Sequence, residues 1–99
     1  DFRIVYLVEY LCALSEAIKD GVDVRGYLYW SLLDNYEWWT YIPRFGLVDV
    51  DREHGFKRTP KPSAYFYKEI IENNGFKPEM LKKYLKEMPR VDASLPILL

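Results

Sequence analysis

Residues 24–33 read Val-Arg-Gly-Tyr-Leu-Tyr-Trp-Ser-Leu-Leu, a largely apolar run with no strict alternation. This is the pattern of a strand covered on both faces, as in a parallel sheet flanked by helices. It constrains the fold strongly, because a doubly covered strand needs neighbouring strands. The chain holds 99 residues, enough for one domain or a piece of one, and it supplies no such neighbours. The pattern therefore predicts a segment of a larger α/β unit. Asp1 opens the sequence and both methionines, Met80 and Met88, come late, which points the same way.

A helix precedes the run. Ile4, Leu7, Val8, Leu11, Leu14 and Ile18 recur at helical spacing through residues 3–20, with Glu9, Glu16 and Lys19 on the other side. Gly21 is the residue type that tolerates a left-handed cap, and Cys12 reads as a small packed residue. A helix followed by a buried strand is half of a parallel α/β unit. Residues 34–43 read as a loop. Residues 45–50 alternate, and 56–59 can return after Asp51–Gly55 as the second arm of a hairpin. Ser63 is a good N-cap for a helix over 64–73, with Ala64, Tyr67, Ile70 and Ile71 inward and Asn73-Asn74-Gly75 as its stop. A short helix is expected over 78–86, with Met80, Leu81 and Leu85 apolar, ended by Pro89. Residues 88–99 form a tail.

Fourteen basic and fifteen acidic residues give a net charge of −1. That leaves no field to recruit nucleic acid or an anionic membrane surface. No apolar run approaches the roughly 18 residues needed to span a bilayer. One cysteine and one histidine exclude a disulfide framework and a structural zinc site, and the reading assigns neither a metal nor a cofactor. A basic stretch followed by an apolar leader is lacking, so a cytoplasmic location is expected. Nine Tyr, five Phe and three Trp are more aromatic surface than so small a core needs, which hints at a ligand face.

The informative stretch is Trp30-Ser31-Leu32-Leu33-Asp34-Asn35-Tyr36-Glu37-Trp38, at the C-terminal end of the expected strand and in the loop after it. Indole faces beside carboxylates suit a sugar: the C–H face of a pyranose stacks on the ring, and a carboxylate accepts from paired hydroxyls. The same residues also fit a plain core-and-turn role. Asp34 and Glu37 are not a catalytic pair. A retaining glycosidase needs carboxyls about 5–5.5 Å apart on opposite sides of the scissile bond, and two acids on one short loop approach from one side. Asp34 is expected to organise the turn and Glu37 to bind hydroxyls.

Four motifs in order, Asp23-Val24-Arg25-Gly26-Tyr27, Trp30 to Trp38, Arg44-Phe45-Gly46-Leu47-Val48 and Arg58-Thr59-Pro60-Lys61-Pro62-Ser63-Ala64, closely resemble the C-terminal segment of glycoside hydrolase family 1. The resemblance runs from about Phe2 to Leu85 and is nearest to thermophilic archaeal members. It implies an α/β fold, the last portion of a (β/α)8 barrel: seventh helix, eighth strand, its loop with a hairpin, and eighth helix, over residues 1–87. It implies a retaining enzyme acting on terminal β-D-glucosides or galactosides. By the same resemblance Trp30 is the floor under the sugar in subsite −1, and Glu37 bonds the 4- and 6-hydroxyls. Trp38 meets the 3-hydroxyl through its indole N–H, and Phe45 lines the pocket. Trp39 inherits no role and reads as loop packing or an aglycone-side wall.

Two departures matter. The Trp39–Pro43 connection is one residue shorter than is usual in the family and lacks its glycine. The family's nucleophile motif, Thr-Glu-Asn-Gly, and its acid/base motif, Asn-Glu-Pro, do not occur in the sequence, so no residue here is assigned a catalytic role. Three readings stay open: a C-terminal fragment of a β-glycosidase, a non-catalytic carbohydrate-binding module, and a subunit completing a barrel with a separate N-terminal chain. The expected partners are a β-linked glucoside or galactoside and the missing N-terminal part of the barrel. His54 is expected to be solvated in its turn, Arg25 and Arg44 to form framework ion pairs, and Lys82, Lys83 and Lys86 to line a solvated helix face.

Overall fold

The computed structural model describes residues 2–86 and, as backbone, 97–98. Helix α1 (Phe2–Lys19) carries the expected apolar stripe: Ile4, Leu7, Val8 and Leu11 are fully buried, with Cys12 and Ser15 beside them. Gly21, at φ 93°, turns the chain out of the helix. After an extended stretch and the loop, β1 (Val48–Asp51) and β2 (Lys57–Pro60) form the expected hairpin, antiparallel with Val48 opposite Pro60 and Asp51 opposite Lys57. Helix α2 (Pro62–Asn73) follows, then the short strand β3 (Gly75–Phe76) and helix α3 (Pro78–Tyr84). The backbone of β4 (Ile97–Leu98) pairs antiparallel with β3. The core lies between α1, α2 and α3, where Phe66, Ile70, Phe76 and Leu81 close on the α1 stripe. Phe66 packs its ring against Phe76 at 6.0 Å and Tyr84 at 5.3 Å.

The run 24–33 departs from expectation. Only Leu33 makes a strand-like pairing, a parallel bridge to Val48. The rest is extended backbone without a ladder among the described residues. Leu47 N–H donates to Ser31 O at 2.9 Å and Val48 N–H to Leu32 O at 2.9 Å, so β1 grips the run at its C-terminal end alone. One side packs on the core through Tyr27 and Tyr29. The other stays open, with Leu28 at 96%, Trp30 at 69% and Leu32 at 66% exposure. A ladder requires a partner on each edge, and nothing else in the described chain provides one.

Two helix details also differ. Lys61, not Ser63, sits at the α2 N-cap. Pro62 takes the first turn, where a missing N–H costs nothing, and Ser63 is fully buried inside the helix. The inward stripe is Ser63, Phe66 and Ile70, while Ile71 is exposed; burying the Phe66 ring rotates the helix by about one position. At the other end Asn74 adopts the left-handed conformation and its N–H caps Ile70 O, as the Asn-Asn-Gly stop predicts. Helix α3 stops at Tyr84, where Leu85 turns extended. The 87/88 boundary, Pro89 and the tail up to residue 96 lie outside the described residues.

Candidate functional site

The site residues come from three stretches: the end of the extended run, the loop over 34–43, and Arg44–Gly46 before β1. Local chemistry fixes each. Ser31 Oγ donates to Leu33 O at 2.9 Å, and Asn35 Nδ2 donates to both Ser31 Oγ and Leu33 O, at 2.9 and 2.8 Å. The Trp30–Ser31 peptide is cis. Further along, Glu37 and Thr40 exchange both backbone hydrogen bonds, at 2.8 and 3.1 Å, closing a two-residue hairpin. Its central residues, Trp38 and Trp39, both have positive φ, 47° and 70°, the geometry of a type I′ turn. The loop flank is held by aromatic contacts: the Tyr36 ring lies 4.9 Å from Tyr41, tilted 55° to it, and the Arg52 guanidinium sits 3.4 Å above the Tyr41 ring.

Asp34 organises the base of the loop, as its position suggested. Its Oδ1 accepts from Lys61 Nζ at 2.8 Å and from Gly46 N–H at 3.0 Å, with both ion-pair side chains largely buried. Lys61 Nζ also donates to Arg44 O at 3.2 Å and Gly46 O at 2.7 Å. The two carbonyls bracket Phe45. Tyr29 reaches the same segment, its hydroxyl donating to Phe45 O at 3.1 Å. Burial holds the Tyr29 phenol above its usual range, with Arg3 pulling the other way, so it is a proton donor at neutral pH. Sequence reasoning missed Lys61 and Gly46. Lys61 was hidden between two prolines that read as punctuation, whereas Gly46, a glycine inside an alternating run, was a usable sign of close backbone approach.

Of the four residues singled out, two are brought into direct contact. Trp30 Nε1–H donates to Glu37 Oε1 at 2.8 Å. Glu37 is 7% exposed, while the Trp30 ring stays open to one side. Trp30 and Phe45 share the walls of a cavity of about 780 Å³, together with Arg3, Tyr6, Tyr29 and Arg44. Trp38 projects outward, 85% exposed, and among the described residues no hydrogen bond or ring contact ties it to the other three. The loop thus presents a buried carboxylate, an open indole face and an aromatic wall, suited to hydroxyl-rich, flat-faced ligands. Asp34 and Glu37 have separate partners, one in the framework and one at the indole. Among the described residues no group of three or more His, Cys, Asp or Glu is placed to hold a metal, and no helix is long and apolar enough to cross a membrane. His54 is exposed in its turn but pairs with Asp51 at 2.8 Å. Arg25 pairs with Asp23, and Arg44 with Asp49 at 2.7 Å. Lys82, Lys83 and Lys86 line the expected solvated face, where Lys83, 62% exposed, pairs with Glu69 at 3.1 Å.

Comparison with known proteins places this arrangement. The chain is 50% identical over 80 residues to Beta-glucosidase 42 of Arabidopsis thaliana, a match covering 76% of this chain and 16% of that protein. It is 51% identical over 75 residues to Beta-glucosidase A of Acetivibrio thermocellus, covering 75% and 16%. It is 49% identical over 84 residues to Avenacosidase 2 of Avena sativa, covering 84% and 14%. The chain therefore spans about one sixth of the length of the curated relatives it matches. Residues 1–76 match the family described as Glycosyl hydrolase family 1, and by that match and these identities the chain belongs to this family.

Proposed function

We propose that the chain is the C-terminal, sugar-recognising part of a retaining β-glycosidase acting on terminal β-D-glucosides and galactosides. In this reading α1, the extended run and α2 are the seventh helix, eighth strand and eighth helix of the (β/α)8 barrel, and the remaining strands come from the N-terminal part of the enzyme. Trp30, Glu37, Trp38 and Phe45 form the −1 subsite, and both catalytic carboxylates lie outside these 99 residues. The matched relatives are plant and bacterial; a thermophilic archaeal source, a cytoplasmic location and acceptance of galactosides rest on sequence alone.

The observation that carries the reading is Glu37, a carboxylate 7% exposed beside an indole ring that is 69% exposed. A carboxylate kept dry next to an open apolar face suits a ligand that stacks and donates at once. The test is Glu37→Gln in the completed barrel, with residues 1–86 joined to the N-terminal part of a family enzyme. Hydrogen bonds to charged groups contribute about 1.5–3 kcal/mol, and they strengthen as the ring distorts toward the transition state. We expect kcat/KM to fall at least ~10-fold on aryl glucosides and galactosides, and much less on fucosides, which lack the 6-hydroxyl. An equal fall on all three would mean that Glu37 holds the loop and does not read the sugar.

A further inference from the structure

The reading above uses the face of Trp30 and leaves its edge without a role. That edge is engaged: the indole N–H points at Glu37 Oε1, 2.8 Å away, across seven residues of chain. The bond matters because of what Glu37 otherwise lacks. Its backbone is pinned by the hairpin to Thr40, but the terminal torsion of a glutamate is broad and roughly two-fold, so a fixed backbone does not fix the oxygens. Among the described residues, Trp30 supplies the hydrogen bond that orients this carboxylate. An indole nitrogen is a donor only, so the bond has one direction and cannot be traded for an acceptor role.

We infer that Trp30 is the positioning residue for Glu37. The ring face stacks while the ring edge fixes the carboxylate, leaving Oε2 and the remaining lone pair of Oε1 for a pair of hydroxyls on the stacked sugar. The inference rests on Glu37 being the sugar-reading residue, and it deepens that assignment: floor and reader are one hydrogen-bonded unit, so selectivity between sugars depends on the indole N–H as well as on the carboxylate. Orientation fixed before binding is not taken from the binding energy.

The test separates face from edge in the completed barrel. Trp30→Phe keeps a flat face and removes the N–H. Replacing Trp30 by 3-benzothienylalanine keeps both rings and puts sulfur in place of the N–H, which guards against misfolding of the phenylalanine variant. Both should lower kcat/KM on glucosides and galactosides by roughly 3- to 10-fold, the size of one ordinary hydrogen bond, with less effect on fucosides. In a Glu37→Ala background, where no carboxylate remains to position, the same replacements should cost almost nothing more. Equal slowing of every substrate, or an undiminished cost in the Glu37→Ala background, would overturn the inference while leaving Glu37 as the sugar reader. If Glu37→Gln itself slows all substrates alike, the sugar reading falls, and this inference falls with it.

Discussion

At Gly46 two stretches of backbone that are twelve residues apart touch. A Cβ built there would lie 2.2 Å from Asp34 N and 2.4 Å from Leu33 C, so neither neighbour can yield by rotating a side chain. Gly46→Ala should therefore destabilise the completed barrel by about 1–3 kcal/mol, the usual cost of overpacking, and should also weaken glucoside binding by shifting Phe45. A melting temperature unchanged by the substitution would show that the loop gives way freely. The contrast with Trp30 and Glu37 explains what could be read at this scale. Their residue types carry chemistry wherever they stand. Lys61 and Gly46 gain their roles only from partners 12 to 27 positions away, and no local pattern encodes that distance.

Among the elements, the Glu37–Thr40 hairpin carries backbone strain. Type I′ turns favour Asn-Gly because both central residues need positive φ, and here Trp38 and Trp39 fill them. The shortened, glycine-free connection seen in the sequence thus has a backbone cost. Trp39→Gly should stabilise the protein by about 1 kcal/mol, visible as a higher melting temperature, because Trp39 is 88% exposed and buries little. A lower melting temperature would show that the Trp39 ring packs on another part of the barrel. The link between α2 and α3 is sensitive to pH. The Tyr84 hydroxyl donates to Glu69, and with Lys83 it holds that carboxyl below its usual range. A lowered folded-state pKa adds stability that is complete above the unfolded range and disappears as pH falls through the folded value. The gap in melting temperature between the native protein and Tyr84→Phe should therefore be widest near neutral pH and narrow as pH falls below the usual glutamate range. A constant gap would assign the effect to packing. Helix α1 and the hairpin were legible because their periods, 3.6 and 2, are local. The α2 stripe was misjudged by one position because Phe66 finds its partners, Phe76 and Tyr84, only in three dimensions.

The molecule as a whole has one finished side and one open side. Helices α1 to α3 close a core, while Leu28, Trp30 and Leu32 face outward from an unladdered run. The sequence marked this run as a strand, and its apolar pattern is real, but a strand is a relation between segments and the partner segments are missing from the described chain. On its own the 99-residue chain should associate, with a broad, concentration-dependent melt, since an unpaired apolar edge templates pairing. It should also hydrolyse no aryl β-glycoside. A sharp monomeric melt would favour an independent binding module. The Lys61 clamp has a consequence for covalent chemistry. Its ammonium donates to three internal acceptors and its side chain is 14% exposed, so the folded loop shields it from an acylating reagent. The exposed amines of Lys57, Lys77 and Lys82 will be modified first. An adduct on Lys61 then marks molecules in which the loop has lifted from the start of α2, a footprint of partial opening that mass spectrometry can count while every helix is still intact.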